Sequence, residues 1–160
     1  MKGDPEVIDI LNQALRHEHA AFNQFWLHSS LLSHWGHTRM AKKEYEEALE
    51  EMDHATTLMK RIIFLEGDAD LQVLSQLHVA SNIKEVLEND LKAEYSAVEL
   101  YRKARVLTRD KGDYVSMDLV ETILKDEEGH VDFLETQLSL LEAIGLQNYG
   151  QLQSGPANEA

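Results

Sequence analysis

Six residues of this chain have the type and spacing to hold metal ions. Glu51-Met52-Asp53-His54 and Glu127-Glu128-Gly129-His130 each place a carboxylate and an imidazole three positions apart. On a helix such a pair shares one face. Both faces are otherwise apolar: Ala48, Ala55, Leu58 and Ile62 run with the first pair, and Leu119, Ile123, Leu134, Leu138 and Leu141 with the second. Glu18 and Glu94 each stand alone in a further apolar row, among Leu11, Leu15, Phe22 and Phe25 and among Leu87, Leu91, Val98 and Tyr101. Charge buried without a partner is costly. Four clustered carboxylates stay ionised only beside cations, and two divalent cations balance them. Two neutral imidazoles complete the coordination without adding charge. An oxygen-rich set with some nitrogen points to iron or manganese rather than to structural zinc. A single Glu-x-x-His in an acidic helix is most often two surface residues. Two of them, each paired with an inward Glu, are a specific signal.

The spacing between these residues is a repeat. One and the same interval separates Glu18 from Glu94, Glu51 from Glu127, and His54 from His130. One helical hairpin is therefore echoed by a second, and the two halves face each other across one site as a pseudo-symmetric four-helix bundle.

The helices that must carry the site can be read from their end signals. Asp4 caps a first helix that opens on Pro5 and runs to about Trp35, with Gly36 as its stop. A second helix runs from near Thr38 to Glu66, with Gly67 as its stop. Residues 67–82 lack helical periodicity and are long for a connection, so they are expected to cross the length of the bundle. Asn82 and Glu85 form a candidate capping box for a third helix running to about Lys111. Asp113 caps a fourth that ends near Ile144, and Leu146–Leu152 make a short fifth. The prediction is a single domain over 1–153 and a loose tail over 154–160.

Composition agrees. The chain has 160 residues, no cysteine, a formal charge of −14 and two prolines, Pro5 and Pro156, both near the ends. Thiolate metal sites and disulfides are excluded. The acidity disfavours nucleic acid and anionic membranes as partners and favours cations. No apolar run reaches membrane-spanning length and no secretory signal follows Met1-Lys2-Gly3-Asp4, so a cytoplasmic protein is expected.

Inward Glu residues with two Glu-x-x-His pairs in a four-helix core are the signature of ferritin-like di-iron and di-manganese proteins. The resemblance narrows further. Met1-Lys2-Gly3-Asp4, Asn23-Gln24, Glu51-Met52-Asp53-His54-Ala55, Phe64-Leu65-Glu66-Gly67, Gly112-Asp113-Tyr114-Val115-Ser116, Asp126-Glu127-Glu128-Gly129-His130 and Gly145-Leu146-Gln147-Asn148-Tyr149 together resemble the bacterioferritins over nearly the whole chain. That resemblance implies iron storage in a hollow homo-oligomeric shell of 24 subunits built from dimers. It implies a ferroxidase oxidising Fe(II) with O2 or H2O2 at a di-iron centre, two Fe ions per subunit, and a ferredoxin-like electron donor for iron release. By resemblance Glu51 and Glu127 bridge the two irons, Glu18 with His54 completing one and Glu94 with His130 the other.

Met52 stands outside the repeat. It points away from the Glu51 and His54 direction, and its counterpart in the second hairpin is Glu128. An outward Met in acidic surroundings is either an interface methionine or a ligand. The resemblance implies the latter: a b-type haem, one per subunit pair, held by a Met from each subunit. In one respect the chain departs from the family. Phe25 stands where Tyr is usual, while Tyr101, its counterpart in the second hairpin, lies on the inward stripe. Tyr101 is either a core tyrosine or a phenol facing the same cavity from the opposite hairpin. His17, His19, His28, His34, His37 and His78 are expected at the surface, and Glu46 and Glu50 as solvated charge or as groups that pass iron inward.

Other functions are compatible with the same residues. A non-storage di-iron or di-manganese oxidase or peroxidase would share the ligands without the shell. A DNA-protecting miniature ferritin would share its metal site between subunits and often carry basic tails, which this chain lacks. A purely structural bundle would bind no iron.

Overall fold

The computed structural model describes residues 1–73 and 75–156; the end of the predicted tail, 157–160, lies outside the described residues. Among the described residues all regular structure is helical: α1 (Pro5–His34), α2 (Thr38–Phe64), α3 (Ile83–Asp110), α4 (Tyr114–Ile144) and α5 (Leu146–Gln153). None of these helices is long and apolar enough to cross a membrane. Short turns join α1 to α2 and α3 to α4, which makes two helical hairpins.

Side chains cap the helices much as the end signals predict. Asp4 accepts from the Glu6 amide at 2.8 Å and Asp113 from the Ser116 amide at 3.0 Å. The capping box at α3 is displaced by one residue. Asn82 accepts from the Glu85 amide at 3.0 Å, but the Glu85 carboxylate turns to Ser81, accepting from its amide at 2.8 Å and its hydroxyl at 2.5 Å.

The end of α2 also differs from expectation. Gly36 and Gly112 close α1 and α3 in the left-handed region, at φ of 89° and 72°. At α2 the left-handed residue is Glu66, φ 61°, one position before Gly67. The Gly67 amide then donates to the Ile62 carbonyl at 3.0 Å and that of Glu66 to Ile63 at 3.0 Å, the paired closure expected of a helix C-terminus. Gly67 serves packing instead: a Cβ there would lie 2.6 Å from Ile8 Cγ2. Left-handed backbone costs a residue with a Cβ about 1 kcal/mol. Glu66→Gly is therefore expected to raise the free energy of unfolding measured in urea by a comparable amount. A fall would mean that the ion pair between Glu66 and the Met1 ammonium, 3.0 Å apart and exposed, outweighs the strain.

The long connection runs along α1. Asn12 bonds Asp68 and Asp70 near its start (3.0 and 2.9 Å), while Gln24 and His28 accept the amides of His78 and Ala80 near its end (2.9 and 3.0 Å). From Asn12 to His28 is about 24 Å of helix, so the segment traverses the bundle and α3 starts at the far end.

Two apolar cores fill the bundle ends. One is built on Leu11, Leu15, Leu58, Ile62, Tyr101 and Val120, the other on Leu32, Met40, Ile83, Leu87, Leu134 and Tyr149. Between them lies a buried polar layer.

Candidate metal centre

All six predicted ligands meet in that layer and none is more than 7 % exposed. They form two overlapping clusters: Glu18, Glu51, His54 and Glu127, and Glu51, Glu94, Glu127 and His130. In each cluster the donor atoms lie within 4.8 Å of one another, and Glu51 and Glu127 belong to both. α1 and α3 supply one carboxylate each, and α2 and α4 one Glu-x-x-His each, with the imidazole rings 6.5 Å apart.

The two histidines are oriented alike. His54 Nδ1 lies 3.1 Å from both Glu51 and Glu127 and 3.8 Å from Glu18. His130 Nδ1 lies 3.2, 3.5 and 3.6 Å from Glu51, Glu94 and Glu127. Their other nitrogens face outward to carboxylates: His54 Nε2 to Asp126 at 3.3 Å, and His130 Nε2 to Glu47 at 2.5 Å and Glu50 at 3.2 Å. An imidazole that donates Nε2–H outward to a carboxylate presents its Nδ1 lone pair inward, which is how metal-binding histidines are commonly held. Glu18 Oε2, Glu51 Oε1, Glu94 Oε2, Glu127 Oε1 and His130 Nδ1 at the centre, and Glu47 Oε2 just outside it, are buried with no hydrogen-bond partner among the described residues. Buried orphans are rare, and the five converging at the centre fit two divalent cations.

The ionisation pattern says what those cations would displace. Burial raises the Glu18 and Glu94 carboxyls well above the carboxylate range, and their carboxyl neighbours Glu51 and Glu127 push the same way. Glu51 and Glu127 are held low. Burial opposes this, but the rings of His54 and His130, 3.1–3.6 Å from the two carboxylates, hold both low, with Glu94 adding to the effect at Glu127. Both imidazoles are raised: burial opposes, and Glu127 leads the carboxylates that outweigh it. The metal-free centre is thus two carboxylic acids, two carboxylates and two imidazolium ions, neutral overall. Four carboxylates with two divalent cations and two neutral imidazoles are neutral as well. Loading therefore exchanges about four protons for two cations. Apparent affinity per ion is expected to fall about 100-fold for each pH unit lost near neutrality. Calorimetric titration with Co(II) at two pH values checks this; an affinity independent of pH would contradict the assignment.

The hydroxyl of Tyr101, fully buried, donates to Glu18 Oε1, so the phenol does face the cavity from the opposite hairpin. Phe25 is also buried, opposite it. Met52 points outward and is 43 % exposed, in line with Tyr45 and Leu49 on the same face of α2. Trp26 is exposed too, its ring stacked on Phe22 at 5.5 Å.

The surface expectation for the histidines needs correcting. His28 is fully buried against Asp90, because it sits on the inward stripe of α1 one turn past Phe25. His17, His19 and His37 are half-buried, and burial lowers the pKa of His17. Glu50, expected as solvated charge or as a group that passes iron inward, reaches His130 while its side chain stays 45 % exposed. Sequence reasoning also passes over Asp126, Glu44, Glu47 and Asp90. A signal exists for Glu47, which precedes Glu51 by four positions on the same stripe, and for Asp90, which precedes Glu94 by four.

Comparison with known proteins gives a consistent answer. Residues 8–144 match the sequence model of the ferritin-like domain. The bacterioferritin of Brucella melitensis biotype 1 is 56 % identical over 160 residues, covering 100 % of this chain and 99 % of the relative. That of Rhodobacter capsulatus is 48 % identical over the same coverage, and that of Mycolicibacterium paratuberculosis 40 % identical over 93 % of this chain and 94 % of its own. The solved Rhodobacter capsulatus bacterioferritin superposes with a TM-score of 0.98 over the whole of both chains; it is described as having a metal-free dinuclear site and haem iron in a crystallographic special position.

Proposed function

We propose, from the premise that this chain belongs to the ferritin-like family and within it to the bacterioferritins, that it is a ferroxidase: it oxidises Fe(II) and stores Fe(III) as mineral inside a shell of its own copies. Iron storage is the family's function. The observation that carries the enzymatic part is the pair of four-residue clusters sharing Glu51 and Glu127. Each cluster would hold one Fe(II), Glu18 and His54 serving one and Glu94 and His130 the other, with Glu51 and Glu127 available to both. Asp126 orients the His54 ring and Glu50 the His130 ring, with the Glu47 carboxylate close to the latter. Two ions held side by side supply the two electrons that reduce O2 to H2O2, or H2O2 to water, with two protons taken up in either case.

The haem belongs to the same reading. Met52 supplies a soft thioether donor on an apolar, exposed strip with Tyr45 and Leu49, and such a strip needs cover. Two subunits meeting there on a two-fold axis would each give one Met to a single b-type haem. The haem would pass electrons inward for iron release, supplied by a ferredoxin-like donor. The chain's acidity and its family favour assembly in the cytoplasm, with no role for nucleic acid.

Anaerobic Fe(II) titration followed by mixing with O2 or H2O2 tests the proposal. Saturation at two Fe(II) per subunit, rapid formation of a ferric absorption and continued iron uptake by a large shell are expected. A dimer with the same oxidation would indicate a non-storage oxidase, and no saturable binding would indicate a structural bundle. Tyr101→Phe belongs in the same experiment. It leaves Glu18 Oε1 without its donor, and an unpaired buried oxygen costs about 1–3 kcal/mol. Oxidation several-fold slower, with loss of a tyrosyl radical signal present in the parent protein, is expected. Unchanged kinetics and no radical in either protein would leave Tyr101 as an ordinary core residue.

A further inference from the structure

One turn along the bundle from the metal centre lies a second buried polar cluster. It comprises Gln24 and His28 of α1, Glu44 of α2 and Asp90 of α3, none more than 4 % exposed. His28, Glu44 and Asp90 approach closely enough to resemble a metal site, with donor atoms within 4.8 Å of one another. Hydrogen bonding argues against that use. The Ala80 amide donates to His28 Nε2 at 3.0 Å, so Nε2 must carry the lone pair. Nδ1 then carries the ring proton and donates to Asp90, 2.9 and 3.0 Å from its two oxygens. No lone pair is left for a cation, which is the reverse of the arrangement at His54 and His130. The same amide keeps the ring neutral, and burial lowers its pKa.

The two carboxyls therefore have no cationic partner in the ring. Gln24 Nε2 donates to Asp90 Oδ1 at 2.7 Å, its own carbonyl fixed by the His78 amide at 2.9 Å. Glu44 and Asp90 bring carboxyl oxygens within 4.8 Å of each other in a buried site. Burial raises both groups, and Asp90's charge adds to it at Glu44; Asp90 is pushed up to about 7. Two adjacent buried carboxyls with no cation hold one proton between them, because both cannot ionise.

The pair is separated from the metal centre by a small cavity. Glu44 and Asp90 line it together with Glu47, Glu94 and His130, and Phe25, Phe133 and Leu134 complete the lining. About 10 Å³ is open to a water's centre, room for about one water, with the carboxyl groups of its lining available as partners within a wall that is otherwise mostly apolar. Glu94 Oε2 is buried without a partner.

We propose that Glu44 and Asp90 are a one-proton store for the metal centre, exchanging through a single water in this cavity and releasing the proton when Fe(II) becomes Fe(III). This rests on the reading of Glu94 and His130 as ligands. Two Fe(II) lose two electrons to the oxidant, and the centre gains two positive charges. The pair loses H⁺, which passes through the cavity water to the reduced oxidant, where two protons are taken up, or to solvent when the oxidant takes none; both carboxylates become ionised, and one of those two charges is offset close by. Loading with divalent cations leaves the centre neutral and the store filled. The other titratable groups facing the pair are His28 on α1, Glu47 on α2 with its partner Lys43, Glu94 on α3, His130 on α4 and Tyr149 on α5. His28 is held neutral, Lys43 is paired with Glu47, and the rest either belong to the centre and its outer carboxylates or are phenol.

Infrared spectroscopy of the whole protein at neutral pH tests this. In the Zn(II)-loaded protein Glu18 and Glu94 are ionised by the metal, so a single protonated-carboxyl band per subunit is expected, and Glu44→Gln, an isosteric change outside the centre, should remove it. In the parent protein loaded anaerobically with Fe(II), ferricyanide, which takes electrons and no protons, should remove the same band. Two bound Zn(II) with no such band, a band unmoved by Glu44→Gln, or a band that survives ferricyanide would overturn the proposal. The ferricyanide result decides if the variant does not fold. Failure to bind two Zn(II) would instead remove the metal-centre reading itself.

Discussion

Glu127→Ala is expected to abolish both halves of the metal centre at once. Glu127 belongs to both donor clusters and sits 3.1 Å from His54 Nδ1 and 3.6 Å from His130 Nδ1. Its loss leaves each half short of one carboxylate and leaves the pair of cations short of one negative charge, so neither ion is held as before. Rapid Fe(II) oxidation should fall by about 100-fold or more, since removing even an outer-shell partner of a metal ligand costs about 10–100-fold in affinity or activity. Glu18→Ala is the informative contrast. It removes a ligand from one cluster only, leaving Glu51, Glu94, Glu127 and His130 intact. Co(II) titration should then show one ion per subunit for Glu18→Ala and less than one for Glu127→Ala. Equal losses in the two variants would mean that Glu127 does not bridge.

The metal-free stability of these variants follows from the ionisation pattern. Glu18 and Glu94 have raised folded-state pKa values, so the stability they contribute is present at low pH and is lost as pH rises through those values. Glu51 and Glu127 are lowered, so their contribution is present at neutral pH and is lost on acidification. Removing Glu18 or Glu94 therefore relieves the metal-free fold at neutral pH, whereas removing Glu127 takes away the main partner of two imidazolium ions. Ligands of one site thus differ in sign as well as in size.

Much of this centre is legible in the sequence because each ligand breaks a strongly apolar helical row and each break recurs at the same interval in the second hairpin. That double condition is hard to meet by chance, and the same interval leads from Phe25 to Tyr101. The second polar layer escapes for a geometric reason. A helix in a four-helix core buries more than one residue per turn, and following one stripe assigns the flanking positions to the surface. Asp90 lies beside Leu91 and His28 beside Leu27, and in both cases the polar residue is the more deeply buried. Glu44 and Glu47 look like members of the acidic run Glu44-Tyr45-Glu46-Glu47, although only those two turn inward. The left-handed stop of α2 falls one residue from its expected place because glycine is the default left-handed residue, while here the glycine is needed against Ile8. A tertiary contact overrides the local preference.

Met52→Leu is expected to remove the haem and leave the ferroxidase. Position 52 follows Glu51 directly, yet the two side chains diverge: Glu51 is fully buried at the centre of the bundle and Met52 is 43 % exposed on its outer face. Leucine keeps the volume and the apolar character of the strip with Tyr45 and Leu49, so subunit pairing should survive. It lacks the sulfur, and with both axial donors of a shared haem lost together the site has nothing left to bind iron. The purified variant should show no haem absorption band where the parent shows one haem per two subunits. Shell size and the initial rate of Fe(II) oxidation should match the parent, while release of stored iron to a reduced ferredoxin-like donor should slow markedly. Haem retained at parental occupancy would eliminate Met52 as the ligand. Loss of Fe(II) oxidation together with the haem would show that the outer face and the buried centre are coupled, against the divergence of the two side chains.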